Sequence, residues 1–138
     1  MAFTGNYTCN SFKSGLLSGD FDFDTPGDTI KMALYTNAAT LNEDTAAYTT
    51  VGEVSASGYT ASGVTLTVEK GIANNTAFIS FENVTISNAA FTARGALIYK
   101  DGGAAICVLD FGSDKTATTT FTVTFPTASS ADALIRLT

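Results

Sequence analysis

Histidine and tryptophan are absent from this 138-residue sequence, and only two cysteines and two prolines occur. Without histidine the commonest general base, the usual activator of a nucleophilic serine or cysteine and the commonest metal ligand are missing. No GxSxG, HExxH, paired CxxC or glycine-rich phosphate loop is present. A glycosidase needs two carboxylates about 5 to 9.5 Å apart, and no spacing in the sequence nominates a pair. These absences lead us to expect no enzyme and no cofactor.

Charge is also scarce. Charged residues make up 14% of the chain, against roughly a quarter in ordinary domains. Seven Lys and Arg face thirteen Asp and Glu, for a net charge of −6. The cations, Lys13, Lys31, Lys70, Arg94, Lys100, Lys115 and Arg136, form no stripe. Phosphate binding draws most of its affinity from such residues, so neither nucleic acid nor an anionic membrane is an expected partner. No stretch approaches the roughly 20 apolar residues of a membrane span. The opening MAFTGNYTCN has no basic start and no apolar run, so no secretion signal is expected. Cys9 and Cys107 could form one bridge, but nothing in the sequence places them together. Cys107, within AICVL, reads as a small buried hydrophobe.

Thr, Ala, Ser and Gly fill the gap left by charge. Threonine suits a pleated surface. Short polar side chains also lose little entropy when another protein covers them. At this length one domain is expected, large enough to hold a core without staples.

The densest apolar stretch is Phe91 to Gly112, FTARGALIYKDGGAAICVLDFG. It predicts two strands, Phe91 to Lys100 and Ala104 to Gly112, joined at Asp101-Gly102-Gly103. By alternation Phe91, Ala93, Leu97 and Tyr99 share one side, with Ala96 and Ile98 on the other. A strand apolar on both sides is buried on both, either inside a sandwich or at a subunit contact. Ala96 and Ile98 are therefore candidate interface residues.

Taken in order, residues 1–28 read as an N-terminal arm or short helix. Asn10 or Ser11 could cap a helix over SFKSGLLSG that Gly19 ends, with Phe12, Leu16 and Leu17 on one face as further interface candidates. DFDFD, Asp20 to Asp24, alternates like a strand. Residues 29–138 read as the main domain. Strands are predicted at Thr29 to Thr36, near Val51 to Ser55, from Val64, at Thr76 to Phe81, at Thr116 to Phe125 and at Ala133 to Leu137. Lys70-Gly71 and Asn74-Asn75 should frame a turn region. A bulge or turn at Glu82-Asn83 accounts for the phase shift to Val84 and Ile86. About eight to ten strands, with turn signals about every 8 to 12 residues, predict an all-β fold. The form expected is an antiparallel β-sandwich or jelly roll.

Asp20, Asp22 and Asp24 have the spacing that opens a calcium loop, but Thr25 stands where the loop needs glycine and Lys31 where it needs glutamate. The preferred reading is a solvated face opposite buried Phe21 and Phe23, so no metal is expected. Tyr7, Tyr35, Tyr48, Tyr59 and Tyr99 could line a sugar-binding face, although packing is the better use of rings lying in strands. Asn6, Asn74 and Asn83 begin Asn-X-Thr triplets, read here as accidents of composition.

Several stretches together resemble a family of small structural proteins of tailed bacteriophages. They are CNSFKSGLL, KMALYTNAATLNEDTAAYTTVGEVSASGYTASGVTL, TARGALIY, VLDFGSDK and the C-terminal ALIRLT, covering nearly all of the chain from Tyr7. The resemblance implies a virion component of a kind that assembles into homo-oligomers on a larger lattice. It leaves head and tail open. The leading expectation is a capsid decoration or cement protein on the outer surface of the head. It would be a homotrimer bound to the major capsid protein, with residues 1–28 as an arm that orders on a partner. A tail or fibre component recognising a receptor through loops at 37–63 is the alternative. A carbohydrate-binding module with calcium at Asp20 to Asp24 is the third.

Overall fold

The stretches richest in apolar residues pair with one another. The computed structural model describes residues 3–24 and 26–138. In it Ile30–Tyr35 (β2), Phe91–Lys100 (β7) and Ala105–Ala117 (β8) lie side by side, antiparallel. Two short strands, Tyr7–Thr8 (β1) and Val64–Thr65 (β3), complete a five-stranded sheet in the order β1-β8-β7-β2-β3. Val68–Ala73 (β4) and Thr76–Phe81 (β5) form a hairpin, and Ile135–Leu137 (β10) pairs with the far side of β5. Val84–Ser87 (β6) pairs with Thr120–Val123 (β9). The fold is thus all-β, antiparallel and sandwich-like, with one short N-terminal helix, Asn10–Ser18 (α1).

Both faces of the five-stranded sheet are covered, which is why its central strands read as near-continuous apolar runs. One face, with Met32, Leu34, Ala96, Ile98 and Ile106, packs with Phe81, Ile86, Phe121 and Val123 from the smaller sheets. The other, with Ala33, Tyr35, Leu97, Tyr99 and Val108, packs with Phe3, Cys9, Ala39 and Leu41 from flanking segments. Ala96 and Ile98 are both fully buried. They face the chain's own second layer and have no surface to offer a subunit, which corrects the interface expectation for these two residues.

A β-bulge between Ala93 and Gly95 changes the parity of β7. Phe91 and Ala93 consequently share the core of Ala96 and Ile98, not that of Leu97 and Tyr99 as simple alternation predicts. Gly95 is needed there. A Cβ at this position would collide with the Phe3 ring and the Leu109 carbonyl. β8 also runs five residues past its expected end at Gly112, because a glycine at φ 83 carries the chain through an irregularity and pairing resumes at Lys115.

The N-terminal segment is part of the domain. Cys9, not Asn10 or Ser11, is the N-cap residue, with extended backbone and no side-chain cap. Asn10 and Ser11 are helical and turn their side chains outward from the helix, to Asp44 at 3.0 Å and to the Ala105 carbonyl at 2.7 Å. Gly19, at φ 74, ends the helix as expected. Phe3, Cys9 and Phe12 are buried, and β1 is hydrogen-bonded to β8. The segment expected to order on a partner is therefore ordered on this chain. Residues 20–24 are not a strand. Their alternation has another cause: the Phe21 and Phe23 rings stack 6.0 Å apart, and Phe12 meets each of them edge-on. Thr25 lies outside the described residues.

The remaining differences are local. Lys70-Gly71 belong to β4, and the turn is Asn74-Asn75 alone, at φ 52 and 60. Asparagine tolerates this left-handed region and suits a two-residue hairpin turn. The phase shift at Glu82-Asn83 is a change of sheet, from β5 to β6. The single strand expected over Thr116 to Phe125 is the end of β8 followed by β9.

Candidate functional site

The polar chemistry of residues 45–62 is directed inward. Near Val51 to Ser55 no strand forms, but a bridge from Glu53 to Tyr35, a Thr36 N–H donated to the Gly52 carbonyl at 2.8 Å and a Val54 N–H donated to the Leu34 carbonyl at 3.0 Å extend the sheet. The Glu53 carboxylate accepts hydrogen bonds from the Tyr48 and Tyr59 hydroxyls, each at 2.6 Å, and from the Ser62 N–H at 2.8 Å. Tyr59 in turn accepts the Leu34 N–H at 3.0 Å. Tyr35 donates to the Thr49 carbonyl and Tyr99 to that of Ser62. Burial pushes all four phenols up, Tyr48 to about 12, and the adjacent Glu53 adds to the rise at Tyr48 and Tyr59. The result is a strap of tyrosines that fastens the long polar segment to the sheet. These four rings are spent on the core and the strap instead of being arrayed on the surface for a sugar.

The cysteines are likewise withdrawn. Both are buried and free, and burial raises the Cys9 thiol to about 11 and the Cys107 thiol further. Raised thiols carry little thiolate at neutral pH and make poor nucleophiles.

The acidic run is engaged in its own turn. Asp22 accepts the Asp24 N–H at 2.9 Å, and Asp24 pairs with Lys70. Asp28 accepts the Asp22 N–H at 2.7 Å and lies 3.1 Å from the Lys100 ammonium, and the Asp22 bond together with that ammonium holds its carboxyl below the usual value. Lys100 also donates to the Asp20 carbonyl at 2.6 Å. Asp20, Asp22 and Asp24 do not converge, and no group of three metal-ligating side chains forms among the described residues. The asparagines of the Asn-X-Thr triplets have structural work of their own. Asn6 accepts the Asp110 N–H and Asn83 the Phe125 N–H, while Asn74 donates to Ser130.

One part of the surface is concave and apolar. A cleft of about 560 Å³ separates α1 and the Phe21–Asp24 segment from the face of the β10-β5-β4 sheet. Phe12, Leu16, Phe21 and Phe23 form one wall. Cross-strand pairing places Lys70, Ile79 and Ile135 in one row of the other wall and Ile72, Ala77 and Leu137 in the next. Ile72 is 76% exposed and Leu137 56%. Leu17, one helical position beyond the cleft wall, is 92% exposed. Two large exposed apolar side chains, Ile72 and Leu137, thus line an apolar opening.

Of the residues expected at an interface, the structure brings Phe12 and Leu16 to the cleft and leaves Leu17 in the open beside it, while Ala96 and Ile98 lie in the core. Ile72, Ile79 and Leu137 were not anticipated. Comparison of the chain with protein-family models, curated proteins and solved structures finds no match. No helix among the described residues is long and apolar enough to cross a membrane.

Proposed function

We propose that this protein is a structural component of a tailed-bacteriophage virion that works by binding alone. It decorates the outside of the head as a homotrimer and reinforces the lattice of the major capsid protein. The observation that carries this reading is the open apolar cleft with exposed Ile72 and Leu137 in its lining, beside a helix that also exposes Leu17. Exposed apolar groups gathered at a concave surface mark a binding site. Around that site the polar groups are already paired within the chain, and among the described residues no buried side-chain polar atom lacks a partner. The family resemblance of the sequence supplies the virion setting. The net charge of −6 suits the outer surface, away from packaged DNA.

The mechanism is mass action. A protein that binds the assembled shell and not its dissociated parts stabilises the shell by an amount that rises with the logarithm of its free concentration over Kd. Each contact should bury about 1,000 Å² or more to be specific. The test is to add the purified chain to heads lacking it and follow their thermal disruption. Saturable binding at hundreds of copies per head, with a raised disruption temperature, supports decoration. Binding to tails or host cells, with none to heads, contradicts it and favours the tail or fibre reading.

A further inference from the structure

Two independent features meet at β4. The first is the apolar cleft. The second is an open sheet edge, for β4 ends the β10-β5-β4 sheet. Among the described strands β4, with six residues, is the longest that lacks a neighbour along one whole edge. The edges of the larger sheet are closed instead by two-residue strands, a common protection against pairing. The two-residue turn makes Ala73 and Thr76 a hydrogen-bonded pair, so Glu69 and Gly71 also bond to β5. Val68, Lys70 and Ile72 consequently direct their N–H and C=O groups away from the sheet. The side chains of Lys70 and Ile72 lie on the cleft face, in register with Ile79 and Ala77.

We infer that β4 receives an extended segment of another protein as an added strand, with alternate apolar side chains of that segment filling the cleft. Such strand addition takes affinity from main-chain bonds and specificity from pockets for alternate side chains. Charge selects the occupant. Asp22 and Asp24 line the cleft against Lys70 alone, and Lys70 is already paired with Asp24. A second copy of this chain would bring the same negative excess, whereas a segment flanked by Lys or Arg neutralises it. The occupant is therefore a basic-flanked, alternating apolar strand of a partner. The inference rests on the reading that the protein acts by binding, and it names the partner chemistry for that site.

The probe is a nine-residue peptide of alternating Val and Thr flanked by lysines, with a glutamate-flanked version as control. The lysine peptide should bind saturably, at least tenfold more tightly than the control. Hydrogen exchange at the Val68, Lys70 and Ile72 amides should slow by tenfold or more. Ile72→Pro removes one outward N–H at an edge position where proline is tolerated, and Ile72→Lys cancels the negative excess of the cleft without altering the backbone. Each should weaken binding of the lysine peptide at least tenfold while thermal unfolding stays cooperative. Equal binding of both peptides, undiminished binding by Ile72→Lys, or dimerisation of the free chain through β4 would overturn the proposal. If the peptide neither binds nor competes while the whole protein still decorates heads, strand addition is wrong and decoration stands. If the whole protein also fails on heads, both are wrong.

Discussion

Four tyrosines and three phenylalanines of this protein are used in opposite ways. Tyr35, Tyr48, Tyr59 and Tyr99 sit under a strap where each hydroxyl finds a carbonyl, a carboxylate or an N–H. Phe21 and Phe23 stack on one another, Phe12 meets both edge-on, and an open cleft is left beside them. A buried phenol needs a partner for its hydroxyl, so tyrosine closes a surface by tying down the chain around it. Phenylalanine makes no such demand. Its surface can stay open until another molecule covers it. The strap accounts for how a long polar segment remains ordered, and the cleft for where the molecule has binding capacity to spare.

The largest expected effect comes from the core on which both regions are built. Ile98→Asp should cost the isolated chain at least about 4 kcal/mol, because a carboxylate would be buried without a partner. Urea denaturation measures this. A variant that stays folded as a monomer would show that Ile98 does not face the second layer. Next is Glu53→Ala, which strands two tyrosine hydroxyls and the Ser62 N–H. It should cost about 2–4 kcal/mol and open residues 45–62 to proteolysis before the rest of the domain. Uniform proteolysis would mean the strap does not hold that segment.

Alkali should act on the closed region and spare the cleft. The buried phenols and thiols have folded-state values raised above their ordinary 10.0 and 9.0. The folded chain therefore holds more protons than the unfolded chain above those values. Stability is fully present below about pH 9 and falls as pH rises further. Denaturation midpoints between pH 7 and 12 read this directly, and a flat profile would contradict the burial of these groups. The smallest effect on stability is expected from Leu17→Ser with Ile72→Ser, within about 0.5 kcal/mol of the unaltered protein, since neither side chain is packed. The same pair should sharply reduce binding to heads. A stability loss comparable to Glu53→Ala would mean that the cleft mouth is part of the fold instead of a surface held for a partner.

The strands were legible where alternation and turn chemistry agreed, as in Thr29 to Thr36 and in Thr76 to Phe81. Alternation misled in two places, each for a physical reason. In DFDFD it reflects the stacking of Phe21 on Phe23 with Phe12 edge-on to both, which has the same spacing as a strand but needs no strand partner. Along β7 the bulge beside Gly95 inverts the parity, and the Phe3 ring that occupies this space is about ninety residues away in sequence. The site was half legible. The helix face supplied Phe12, Leu16 and Leu17, but the opposite wall is assembled by the β10–β5–β4 pairing. Nothing local to Ile72 or Leu137 announces that they meet. The apolar density at Ala96 and Ile98 was visible, yet it cannot by itself tell a second layer from a second subunit.

The most direct measurement of the central claim is an image reconstruction of the virion that locates this chain. The account predicts density on the outside of the head, with α1 and β4 turned toward the shell and the Tyr48–Glu53–Tyr59 strap facing away. Density in the tail, or a chain seated on the head through the strap with the cleft open to solvent, would contradict it.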